Sequence, residues 1–170
     1  MSTAEQQAVQ AGAVLAQLEE HYARYPEEYA RQAAQGGVGR NFARMFRRWL
    51  SYNDQAAEPL HTAFLEGTAA LTGELAGLLA ELEQSDPLAS RELAMRGVAL
   101  LLTPKPKGSM SECEWYMTAA EYHCAVLLPY LSREDLEYWR SEMLRRTPRR
   151  MMFPKQLELL EQAEKLLKEK

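Results

Sequence analysis

The stretch from Pro59 to Gln84, PLHTAFLEGTAALTGELAGLLAELEQ, limits the folds open to this chain more than any other. At roughly 100° per residue, Leu60, Phe64, Leu71, Leu75, Leu78, Leu79 and Leu82 fall into one broad apolar stripe. A second face carries Ala69, Gly73, Ala76, Gly77 and Ala80, small enough for another backbone to come close. Only Glu66, Glu74 and Glu81 clearly ask for water. A helix apolar on one side and small on the other needs cover on both. The pattern therefore predicts a central helix over about 58–84, with another helix approaching closely along the small face. On that expectation, Gly73→Leu costs roughly 1–3 kcal/mol through overpacking.

The remaining segments read as helices too. Helical spacing and terminators divide them into residues 3–24, 26–35, 41–52, 86–102, 111–128, 132 to just before Pro148, and 154 onward. Pro26, Gly36 and Gly37 are read as boundaries, because proline suits a first turn and glycine a helix end. Ser85 or Asp86, and Ser132, are placed to cap helix starts. Ser111 with Glu114 forms a capping box in front of a segment that is apolar nearly all round, Ser111–Leu128, which becomes the second central helix. No segment alternates apolar and polar residues over strand length. The reading is an all-α, bundle-like fold of about eight helices, with 58–84 and 111–128 at its centre.

Length and charge set the outer limits. At 170 residues the chain is one domain, 1–170, with a core large enough to need no staples. The loop TPKPKGS offers a subdivision at 103–110. A formal net charge of -4 excludes a uniformly basic nucleic-acid binder. Two cysteines give no disulfide framework. No secretory signal is recognised at the start, and the longest aliphatic run, Val98–Leu102, is far too short to span a bilayer. A cytoplasmic protein with no membrane partner is the expectation.

Candidate chemistry is thin. Glu58 and His61 form a single E-x-x-H, whereas a di-iron bundle needs two such motifs and two more glutamates. Cys113 and Cys124 lie eleven residues apart, roughly 16 Å along a helix, too far to share one zinc ion. Gly36-Gly37-Val38-Gly39 lacks the Gly-Lys-Ser/Thr ending of a phosphate loop. No nucleophile motif is present. The expectation is no metal, no cofactor and no catalytic residue, with His21, His61 and His123 left as groups that only folding could bring together.

The arginines carry the most information. Arg40, Arg44, Arg47 and Arg48 have no acid among them, and Arg140, Arg145, Arg146, Arg149, Arg150 and Lys155 have only Glu142 against them. These two stretches hold ten of the twenty Lys and Arg residues. The second also places Met151, Met152 and Phe153 between two prolines, a composition typical of interfaces. Three readings compete. In the first, the arginines are solvated or paired within the molecule. In the second, Arg145, Arg146, Arg149, Arg150, Met151, Met152 and Phe153 dock a protein partner or a second copy. In the third, a helix offering Arg40, Asn41, Arg44, Arg47 and Arg48, with the 140–155 segment, binds nucleic acid. The expectation is the second, a non-catalytic helical interaction module of the adaptor, chaperone-like or inhibitor kind, with nucleic-acid binding as the alternative.

Overall fold

The structure, a computed structural model, describes the backbone of residues 1–50, 59–102 and 112–170, and the side chains of these residues except 33–50 and 112. Six α-helices follow one another: α1 Thr3–Leu50, α2 Pro59–Ser85, α3 Pro87–Leu101, α4 Glu112–Ala120, α5 Arg133–Arg146 and α6 Pro154–Glu169. Short 3-10 segments occupy Glu121–Val126, Leu128–Tyr130 and Arg149–Met151. No strand occurs among the described residues, and no helix among them is long and apolar enough to cross a membrane.

The all-α expectation holds, but six helices stand where about eight were expected. The spans 3–24, 26–35 and the first part of 41–52 are one helix, α1. Pro26 sits inside it with its ring exposed. An interior proline removes one backbone hydrogen bond but need not end a helix that is bonded on either side. A glycine costs about 1 kcal/mol against alanine in a helix interior, which penalises Gly36 and Gly37 without forbidding them. The rest of the expected 41–52 helix and the 103–110 loop lie outside the described residues.

Segment 111–128 is also not one α-helix. It is α-helical to Ala120 and then tightens to 3-10 geometry. With three residues per turn, side chains three apart align. Glu121, Cys124 and Leu127 are accordingly all buried.

Helix α2 lies at the centre, against α1, α3, α4 and the 3-10 segment after α4. Its buried line is His61, Phe64, Thr68, Thr72, Leu75, Leu79 and Leu82. The stripe is therefore turned toward two threonines, while Leu60, Leu71 and Leu78 are only partly covered. Buried hydroxyls need partners. Thr68 donates to the Phe64 carbonyl at 2.8 Å and Thr72 to the Thr68 carbonyl at 2.7 Å. α1 runs antiparallel alongside: Gln7 meets Ser85, His21 meets Phe64 and Thr68, and Tyr25 meets His61.

The expected close approach along the small face is corrected. Ala69, Gly73, Gly77 and Ala80 are exposed, and a Cβ built on Gly73 or Gly77 meets nothing within 4 Å. Close approach occurs instead at Gly97 of α3, where a Cβ would lie 2.8 Å from Leu127 Cδ1, and at Gly67, where it would lie 2.6 Å from His21 Cε1. Leucine stripes and buried threonines supply enough cover for α2 on one side, so its other side faces solvent.

The starts of α3 and α5 follow the sequence. Asp86 accepts the Ala89 N–H at 3.1 Å and Ser132 accepts the Asp135 N–H at 3.1 Å. Trp139, buried on α5, donates its indole N–H to the Met95 sulfur on α3. α6 turns Leu159, Leu160 and Ala163 into the core. Lys170 then donates to the Pro129 and Leu131 carbonyls.

Candidate functional site

The histidines divide. His21 and His61 come to opposite ends of a stack of rings between α1 and α2. Tyr25 lies face to face with Phe64 at 3.8 Å, and His21 stacks on Phe64 at 5.1 Å. His61 shares a 2.6 Å hydrogen bond with the Tyr25 hydroxyl and stacks on Tyr116 of α4 at 4.1 Å. His21 Nε2 donates to the Phe64 carbonyl at 2.9 Å. His123 lies elsewhere, beside Tyr122 and near Lys155, and is held below the usual histidine range by burial and then by that ammonium. Among the described residues no three His, Cys, Asp or Glu side chains gather as a metal site. Glu58 lies outside the described residues.

Neither cysteine is part of a disulfide, and both are buried. Burial, and then the nearby Glu121 carboxylate, pushes the Cys124 thiol far above its ordinary range. A thiol so placed is a poor nucleophile.

The arginine-rich segment after α5 is built by its prolines. Pro148 leads into a 3-10 turn closed by the Met151 N–H on the Pro148 carbonyl at 2.8 Å. Met152 and Phe153 are extended, and Pro154 opens α6. Extended backbone sends successive side chains to opposite sides. Met151 points out, 66% exposed, Met152 packs on the core, and Phe153 points out, 55% exposed. The Gln156 side chain accepts the Phe153 N–H at 3.1 Å and fixes the entry to α6.

Four arginines there are answered by three carboxylates. Arg145 binds Glu142 at 2.7 Å on the same helix. Glu164 of α6 takes both Arg140, at 3.2 Å, and Arg149, at 2.5 Å, tying the turn to α5 and α6. Arg146 reaches inward to Glu121 at 3.6 Å, with side-chain exposures of 16% and 7%. The Arg146 Nε and the Tyr22 hydroxyl, both in the Glu121 neighbourhood, are buried without a hydrogen-bond partner. Arg150 is exposed and has no ion pair to a described residue. Lys155 is exposed, with its ammonium 5.4 Å above the Tyr122 ring.

Of the residues expected to bind a partner, Arg150, Met151 and Phe153 therefore form one exposed edge. Arg145, Arg146 and Arg149 are engaged by carboxylates, and Met152 anchors the edge to the core. The Glu121–Arg146 pair carries no sequence signal, since 25 positions separate the two residues and they lie on different elements. Tyr122 was equally invisible as the platform for Lys155. Arg40, Asn41, Arg44, Arg47 and Arg48 belong to the part of α1 whose side chains lie outside the described residues. Compared with protein-family models, curated proteins and solved structures, the chain matches none.

Proposed function

We propose that this protein is a non-catalytic helical interaction module that docks a protein partner through the edge formed by Arg150, Met151, Phe153 and Lys155. One observation carries the reading. Two large apolar side chains and a guanidinium with no ion pair to a described residue stand exposed together on a turn held by prolines and by the Glu164 ion pairs. Interface anchors have this character, an arginine and an aromatic group on a pre-ordered backbone. Arg149 and Arg146 act as braces for the edge. A reducing, cytoplasmic setting suits two buried cysteines outside any disulfide.

The nucleic-acid alternative draws on the 140–155 segment, but four of its arginines are already paired with carboxylates. Exposed Met151 and Phe153 beside the Arg150 guanidinium suit a protein surface better than a phosphate backbone.

The test is affinity capture with the tagged protein, comparing the parent with Arg150→Glu and Phe153→Ser. Both side chains lie outside the core, so both variants are expected to melt with the parent. Each is expected to reduce capture of the specific partner roughly tenfold or more. Undiminished capture by both variants would refute the proposed edge.

A further inference from the structure

We infer that the Arg150–Phe153 edge docks onto a second copy of this chain, against the exposed glutamate face of its α2. The inference rests on the reading that this edge is a docking surface, and it names the occupant. Complementary charge supports it. Across its 27 residues α2 contains no lysine or arginine. Its glutamates Glu66, Glu74, Glu81 and Glu83 are exposed and make no ion pair with a described residue. Exposed charge with no ion pair among the described residues, positive on one surface and negative on the other, favours their mutual contact.

Shape agrees with charge. Glu74 and Glu81 are seven positions apart and so lie on one side of α2, about 10 Å apart along the axis. Between them Gly77 has no side chain and no neighbour within 4 Å of a would-be Cβ. An aromatic ring from another molecule can reach the helix surface there, with a carboxylate above and below it. Phe153 and Met151 supply apolar side chains that project far enough, and Arg150 and Lys155 supply the matching cations. Such a contact joins two different faces. It is heterologous, and it propagates head to tail unless the rotation between copies closes a ring.

Sedimentation velocity and light scattering from micromolar to near-millimolar protein test this. The parent is expected to gain mass with concentration at low salt and to lose that gain in high salt. Arg150→Glu with Lys155→Glu, and separately Glu74→Lys with Glu81→Lys, are each expected to stay monomeric. An equimolar mixture of the two variants is expected to associate again, because the reversed edge of the first meets the reversed α2 face of the second, and the unchanged edge of the second meets the unchanged α2 face of the first. A parent that stays monomeric throughout overturns the inference. So does a parent that associates while either double variant associates equally well, or a mixture that remains monomeric. If the parent is monomeric but Arg150→Glu still loses a captured protein, the edge serves a different acidic partner and only the second-copy assignment fails. If capture is also unchanged, the docking reading fails with it.

Discussion

Two glycines show how sharply burial separates residues of one type. Gly97 faces Leu127 and Leu75 inside the core, with a built Cβ only 2.8 Å from a Leu127 methyl. Leu127 is fully buried and has little room to give. Gly97→Leu is therefore expected to lose at least about 3 kcal/mol, or to fail to fold, because overpacking forces neighbours off their rotamers. Gly73 faces open space, so Gly73→Leu is expected to melt at or slightly above the parent, gaining up to about 1 kcal/mol of helix propensity. Thermal unfolding followed by circular dichroism compares the two. The sequence places close approach at Gly73 and Gly77, because they share a small face, and gives no signal at Gly97. Spacing shows which residues lie together on a helix. It does not show which side the neighbours occupy.

Among elements, α1 is the one whose sequence and structure disagree most. Pro26 leaves the Tyr22 carbonyl without its helical N–H, yet the helix continues on both sides. Replacing an interior helical proline restores one hydrogen bond, against a smaller gain in unfolded-state entropy. Pro26→Ala is expected to raise stability by about 1–2 kcal/mol in urea unfolding, with unchanged helix content. A drop in stability would mean that the helix breaks there. Helix starts were legible where a side chain does the capping, at Asp86 and Ser132, since that signal is local. Helix ends were less so: glycine and proline shift the balance by a few kcal/mol, and tertiary packing decides the outcome. The exposed edge was legible for the same local reason, through the prolines that bracket Met151 and Phe153. The pairing of Arg149 with Glu164 and of Arg146 with Glu121 was not, because it depends on how α5, α6 and the 3-10 segment come together.

At the scale of the whole molecule, several perturbed groups act together through the pH profile of stability. His123 is held below its ordinary range, so the unfolded chain binds a proton near pH 6.5 before the folded one does. Stability from this group is present above that value and falls as the pH drops through it. Cys124 and Tyr22 are held above theirs, so they ionise first in the unfolded chain, near 8.5 and 10. Their contribution is present at lower pH and is lost as the pH rises through those values. Denaturant unfolding across pH 5–11 is expected to give a plateau between about 6.5 and 8.5 with a fall on either side. His123→Gln should flatten the acid fall, and Tyr22→Phe should soften the alkaline one. An unchanged profile in both variants would show that other groups set it.

The ring stack between α1, α2 and α4 has an optical consequence. Phe64, Tyr25, His61 and Tyr116 form a chain of ring contacts, each centre within 6 Å of the next, and Trp115 meets Tyr116 edge-on at 5.1 Å. Aromatic groups held in this way absorb left and right circularly polarised light unequally, and they lose that difference when they tumble freely. The near-ultraviolet dichroism of the protein then includes a report from this junction. It reads whether α4 is seated on the first two helices while far-ultraviolet signal, set by helix content alone, stays the same.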